Sequence, residues 1–239
     1  MRAFGLTDRG AVRPENQDSY RILIKSDLLL AVVCDGMGGA AAGATASDIA
    51  CSVFMACCEE KLHAGADIKD VMRAAVEEAN RAVYERAQSD LTCSGMGTTL
   101  TALCVRGRDV YAVNVGDSRI YAADENGIRM MTKDHSVVEW MVQRGELSSE
   151  QAKHYPGKNM ITRAVGTDPE VECDVFESRR SASDQYLLCS DGLSNLLGDQ
   201  ELLFEMVHGG NPETCCRRLL EIAMNRGAPD NVTAVLVCD

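Results

Sequence analysis

Apolar and polar positions alternate over 2–6 and 19–25, and an apolar run fills 28–34; all three segments read as β-strands. The polar loop TDRGAVRPENQD separates the first two. A helical block follows. Within 44–62, Ile49, Val53, Phe54 and Cys57 share a face. In 67–88, Ile68, Val71, Met72, Ala75, Val76, Ala79 and Val83 keep the i, i+3, i+4, i+7 spacing of an amphipathic helix. Glu77, Glu78, Arg81 and Glu85 fall mostly off that stripe and read as solvated surface.

After the glycine-rich SGMGTT turn, alternation resumes in 99–105, 110–115, 119–123 and 128–131, with RGRD and DENG short enough to close hairpins. Short helices are expected over 137–144 and from Ser149, where Ser148 and Gln151 form a capping box. The stretch 154–168 has no period and reads as a mobile loop. Strands are expected at 171–176 and 185–189, then helices at 199–207 and 212–225. Asn211 caps the last helix, with Pro212 in its first position. A strand at 232–238 closes the series.

This order does not alternate strand with helix, so a doubly wound parallel sheet fits poorly. The expected fold is α+β: an antiparallel sandwich of two sheets with helices covering both outer faces. At 239 residues the chain fits one large domain. Its longest apolar run is far short of the ~20 residues of a membrane helix, and MRAFGLTDRG has no apolar signal core. A soluble, cytoplasmic protein without a membrane partner is expected.

A net charge of −12 excludes a duplex nucleic acid partner, because phosphate contacts need clustered Lys and Arg. The eleven cysteines show no C-x-x-C and no zinc spacing. They read as small hydrophobes in a reducing compartment. Redox sensing is the alternative, since Cys34 and Cys189 lie within two residues of Asp35 and Asp191.

Five aspartates sit where strands begin or end. Asp35, Asp117 and Asp191 each follow an apolar run and border a glycine, while Asp18 and Asp230 precede one. In an antiparallel sheet the end of one strand lies beside the start of its neighbour, so all five can gather at one edge. Bare carboxylates at close range repel unless a cation joins them. One Asp-Gly is ordinary turn chemistry, but the repetition points to a hard cation held by oxygen, Mg²⁺ or Mn²⁺ rather than zinc. Gly36 has no side chain to shield its carbonyl.

Nine segments carry a family resemblance: DRGAVRPENQD, VVCDGMGGAAAG, GMGTTL, VNVGDSRIY, TKDHS, RGELS, ITRAVG, CSDGLSN and PDNVTAVLV. In this order, spanning 8–237, they resemble the metal-dependent serine/threonine protein phosphatases of the type 2C class in their compact bacterial form. The resemblance implies a four-layer α-β-β-α catalytic domain over 1–239 with a flap at about 136–165. It implies two Mn²⁺ or Mg²⁺ ions bridged by Asp35. Asp191 and Asp230 complete the first metal, and the Gly36 carbonyl serves the second. Asp18 holds second-metal waters, and Asp117 with Asp191 forms a third, weaker site. Arg13 grips the substrate phosphate. The implied catalytic residues are thus Arg13, Asp35 and Asp191, and the implied reaction is in-line attack of activated water on phosphoserine or phosphothreonine. Phosphorylated proteins are the implied partners, among them a cognate Ser/Thr kinase, with a monomer as the simplest state.

Two positions depart from the pattern. Gln17 stands where many relatives carry Glu, which lowers the expected second-metal affinity. Met37 stands where some eukaryotic members place a histidine, so no general acid is assigned. His135 reads as a structural hydrogen-bonding residue with catalytic acid as the alternative; His63, His154 and His208 read as surface, and Trp140 as packing. Arg163 fits a substrate contact or an ion pair, and Thr98 and Thr99 support the aspartates. Other functional readings are a partner-switching phosphatase of one regulatory protein, a non-catalytic phosphoprotein-binding relative, and a dinucleotide-binding module built on Gly36, Gly38 and Ala41.

Overall fold

The computed structural model describes residues 1–239 apart from Ala40, Ala41, Ala64, His154 and Ala182, and apart from the side chains of His63, Ser149 and Lys153. The expectations for His63, His154 and Ala41 therefore fall outside the described residues.

Among the described residues, eleven strands form two antiparallel sheets. They are β1 (Arg2–Asp8), β2 (Asp18–Ile24), β3 (Leu28–Met37), β4 (Gly97–Thr98), β5 (Leu100–Arg106), β6 (Asp109–Val115), β7 (Arg119–Asp124), β8 (Gly127–Met130), β9 (Asp174–Arg179), β10 (Gln185–Cys189) and β11 (Val232–Cys238). One sheet runs β1-β11-β10-β7-β8, the other β2-β3-β5-β6-β9, and β4 pairs with the end of β3. The helices are α1 (Ala42–His63), α2 (Ile68–Ser89), α3 (Val137–Gln143), α4 (Ser149–Lys153), α5 (Asp191–Ser194), α6 (Asp199–His208) and α7 (Pro212–Asn225).

Three apolar layers hold these parts together. Leu29, Ala31 and Val33 of β3 point between the sheets toward Ile120, Leu188 and Val235. Their neighbours Leu30, Val32 and Cys34 point outward, under Phe54 of α1 and Met72 of α2. On the other sheet, Leu187, Ala234 and Leu236 lie under Leu202, Cys216 and Leu219 of α6 and α7. Successive strand residues face opposite sides, so a sheet covered on both faces needs an unbroken apolar strand. This is why 28–34 shows no alternation. The result is a helix–sheet–sheet–helix stack.

The α2 stripe is buried over the residues its periodicity named. The α1 face is rotated instead: Ala46, Ala50, Cys51, Phe54 and Cys58 are fully covered, while Ile49 and Val53 are only partly so. Small side chains there let α1 lie close to both β3 and α2. The strand expected at 171–176 begins at Asp174. Val171, Cys173 and Val175 do share a face on the core, but the ladder to β6 starts at Asn114↔Asp174. The stretch read as a mobile loop is pinned at two bridges, Ser136↔Ile161 and Thr98↔Val165. Trp140 is not packed. It is 52% exposed, with the Arg144 guanidinium 4.5 Å from its ring centre. All eleven cysteines are free, and ten are buried.

Candidate metal centre

The two sheets meet at one end of the stack, where β3, β6 and β10 finish and β2 and β11 begin. Asp18 opens β2 directly opposite Asp35 of β3. Residues paired this way across a ladder put their side chains on the same face. Asp191 lies two residues beyond β10, and Asp230 two before β11, its antiparallel neighbour. Asp117 follows β6 in the Gly116–Asp117–Ser118 turn.

The proximity of the acids shows in the ionisation of Asp18, Asp35, Asp117 and Asp191. Asp18 is 7% exposed. Burial drives its pKa up to about 6; hydrogen bonds from Thr233 and Ser190 pull against this, and Asp191 and Asp230 add repulsion. Asp35 is raised well above the carboxylate range by burial and then by Asp18, Asp191, Asp117 and Asp230. Burial followed by Asp191 takes Asp117 to about 7. Burial followed by Asp230 takes Asp191 to about 6. Asp35, Asp117, Asp191 and Asp230 keep part of their surface open to solvent.

Three of the aspartates are fixed from behind. Asp35 donates its N–H to Thr99 Oγ1 at 2.9 Å, and its carbonyl accepts from Thr98 Oγ1 at 2.9 Å. Ser190 Oγ and Thr233 Oγ1 both donate to Asp18 Oδ2, at 2.7 and 2.6 Å. Asn195 Nδ2 donates to Asp191 Oδ2 at 3.0 Å, and Lys158 of the 136–165 segment donates to Asn195 Oδ1 at 3.2 Å. Asn231 accepts from the Gln17 N–H and donates to the Arg9 and Glu15 carbonyls, which anchors the loop carrying Arg13. Sequence reasoning passed over Ser190, Asn231 and Thr233. The available signal was polar side chains inside apolar strand motifs, beside acids that need donors.

Arg13 donates from Nη2 to Asp230 Oδ2 at 2.8 Å, with its side chain 53% exposed. This pairing, first by hydrogen bond and then by charge, raises the Arg13 pKa. Gly36 and Gly192 are glycine for a reason other than an unshielded carbonyl. A Cβ at Gly36 would overlap the Gly43 carbonyl oxygen, and one at Gly192 would overlap that of Asn231. Chain segments that close leave no room for side chains beside Asp35 and Asp191.

The chemistry of this donor set fits hard divalent cations. Asp18 Oδ1 is buried without a hydrogen-bond partner, and an orphaned carboxylate oxygen costs desolvation that a cation's water shell removes. Among the described residues no three His, Cys, Asp or Glu side chains close into a cage around one point. An open arrangement suits Mg²⁺ or Mn²⁺, which keep several waters and do not need a closed all-protein cage. The Gly36 stretch does not suit a dinucleotide. It lies within β3, antiparallel to both β2 and β5, and a helix pair follows where a βαβ unit needs a parallel strand.

Around the centre, His135 is buried, and burial lowers its pKa while Asp174 opposes the shift. Arg163 pairs with Asp174 at 3.0 Å and with Glu172 at 3.7 Å. Met37 ends β3 and is partly exposed. His208 is exposed, its ring 4.9 Å from that of Phe204.

Comparison with known proteins agrees with this geometry. The family model described as Protein phosphatase 2C matches residues 11–212. The serine/threonine phosphatase Stp of Listeria welshimeri is 35% identical over 99% of this chain and 95% of its own. The crystal structure of the Mycobacterium tuberculosis serine/threonine phosphatase PstP superposes with a TM-score of 0.89 at 35% identity, over 98% of this chain and 97% of that one. A structure of the PstP catalytic domain in complex with two manganese ions gives 0.87 at 34% identity, over 100% and 98%. Family model, full-length relatives and superposed structures agree, and this chain belongs to the protein phosphatase 2C family.

Proposed function

We propose that the acidic cluster holds two divalent cations, Mn²⁺ or Mg²⁺, and that Arg13, Asp35 and Asp191 serve the hydrolysis of phosphoserine and phosphothreonine in proteins. The protein is a metal-dependent serine/threonine phosphatase. The observation that carries the site assignment is the facing pair Asp18–Asp35, with Asp191 and Asp230 across the gap and one Asp18 oxygen left without a partner.

In this reading Asp35 bridges the two ions, Asp191 and Asp230 complete one, and the Gly36 carbonyl and Asp18, through water, serve the other. Asp117 and Asp191 form a weaker third position. Bound there, the cations lower the pKa of water and offset charge on the phosphoryl oxygens. Thr98 and Thr99 hold the Asp35 backbone still, so its carboxylate need not reorganise during reaction. Arg13 binds Asp230 through one nitrogen, which leaves the rest of its fork for two phosphate oxygens. Asn231 sets where that fork can reach by anchoring both ends of its loop.

Substrates are phosphorylated proteins, and we place the enzyme opposite a Ser/Thr kinase. No described helix is long and apolar enough to cross a membrane. The absence of disulfides among eleven cysteines supports a reducing, cytoplasmic setting.

Hydrolysis of phosphothreonine peptides and of an aryl phosphate tests this reading. Turnover is expected with Mn²⁺ and none with EDTA. Arg13→Ala should raise KM for the peptide about tenfold or more, the scale of a lost charge-assisted hydrogen bond. Metal-independent turnover would refute the mechanism, and an unchanged KM in Arg13→Ala would remove the phosphate role of that side chain.

A further inference from the structure

The loop that carries Asp117 and the base of the 136–165 segment meet at one side chain. The Gly116 N–H donates to His135 Nδ1 at 3.2 Å, and the His135 N–H donates to the Gly116 carbonyl at 2.9 Å. His135 thus holds Gly116, the residue immediately before Asp117, by its N–H through the ring and by its carbonyl through the backbone. Its own carbonyl accepts the Thr162 N–H at 2.7 Å, where the segment returns, and Ser136 bridges to Ile161.

The far side of the ring is also held. Nδ1 accepts a hydrogen bond from the Gly116 N–H, so it carries no proton itself, and the neutral imidazole's proton is assigned to Nε2. Nε2 faces Asp174 Oδ2 at 3.4 Å. Arg163 Nη1, from the returning strand of the segment, lies 3.0 Å from Asp174 and 3.3 Å from Nε2. His135 is 7% exposed and touches none of the five clustered aspartates in any hydrogen bond or ion pair among the described residues. Both ring nitrogens are thus engaged by protein groups, which favours a structural role for this side chain over that of a catalytic acid.

We propose that His135 is a positioning residue: its Nδ1 fixes Gly116, the residue before Asp117, at its N–H and couples the cation affinity of Asp117 to the docking of the 136–165 segment. The inference rests on the reading of Asp117 as a ligand of the weakest cation site. Groups that orient a ligand from behind change metal affinity about 10- to 100-fold when removed. The acceptor at Nδ1 is the part of the ring that does this.

Asparagine places an amide oxygen near the Nδ1 position, whereas glutamine places its amide nearer Nε2. Mn²⁺ titration of the full chain, followed by the electron paramagnetic resonance of free Mn²⁺, separates these contributions. Amide exchange at Gly116 gives a readout independent of activity. His135→Asn is expected to keep the weakest Mn²⁺ site within about threefold of wild type and Gly116 protected. His135→Gln and His135→Ala are expected to weaken that site about tenfold, expose Gly116, and leave the two tighter sites unchanged. Should alanine prevent folding, the asparagine and glutamine variants still decide. Equal losses in those two variants, or unchanged binding in both glutamine and alanine variants, would overturn the role of His135. A wild-type protein with only two Mn²⁺ sites would instead overturn the assignment of Asp117.

Discussion

Asp35→Asn should abolish phosphatase activity and, in the absence of metal, make the protein more stable. The two effects share one cause. Asp35 lies opposite Asp18 with Asp117, Asp191 and Asp230 close by, and burial together with these like charges raises its pKa well above the carboxylate range. Ionising it without a cation is costly, so replacing it by a neutral isostere relieves that repulsion and should raise the metal-free melting temperature. With metal the sign reverses. In the proposed centre Asp35 bridges both ions, so its loss should lower kcat about a thousandfold or more, roughly 4 kcal/mol of barrier. Thermal melts in EDTA and in Mn²⁺, beside peptide turnover, check both parts. A metal-free variant that melts below wild type would contradict the electrostatic account, and wild-type turnover would contradict the bridge.

The second large effect is an inverted pH dependence. Asp18 and Asp191 have pKa values raised to about 6, and Asp117 to about 7. A carboxylate whose folded pKa exceeds its unfolded one stabilises the fold fully below the unfolded value, near 4. That contribution fades as pH rises through 6 to 7. The metal-free protein should therefore lose stability between about pH 4.5 and 7. Asp18 alone, buried and shifted from 3.8 to about 6, accounts for something on the order of 3 kcal/mol. In a chain of this size that is roughly 5–10 °C in Tm. Saturating Mn²⁺ binds the deprotonated acids, so Tm should then rise with pH across the same window. A metal-free Tm that is flat or rising over this range would show that the acids do not crowd as described.

How far the sequence discloses this centre depends on the range of the forces involved. Asp35 is legible because a seven-residue apolar run, 28–34, delivers it to a strand end beside a glycine. The α2 stripe is legible because it is buried along one face only. The α1 face is not, because alanines and cysteines are chosen there for closeness to β3, and their apolar contrast is weak. The start of β9 is misplaced for another reason. The face pattern of Val171, Cys173 and Val175 continues past the point where β6 has a partner to offer. The two-residue β4 hides in a glycine-rich turn, although it carries Thr98, which ties Asp35 to Val165. Contacts such as Arg13–Asp230 and Ser190–Asp18 join residues more than 170 positions apart, and nothing local announces them.

The family supplies the chemistry and its order along the chain; the structure adds how this chain crowds its acids. Gly43 and Asn231 close on Gly36 and Gly192 so tightly that only backbone fits beside the two aspartates. Gln17 contributes its carbonyl to Gly36 and Ser47. Its neutral side chain spares the cluster a sixth charge.

Calorimetric titration with Mn²⁺ near pH 7.5, comparing wild type with Asp35→Asn and Asp230→Asn, is the most direct test that these acids form one dinuclear centre. Wild type should take up two ions tightly. Asp35→Asn should lose both together, and Asp230→Asn should weaken one while the other persists. Two ions still bound tightly by Asp35→Asn, or none bound by wild type, would contradict the centre described here.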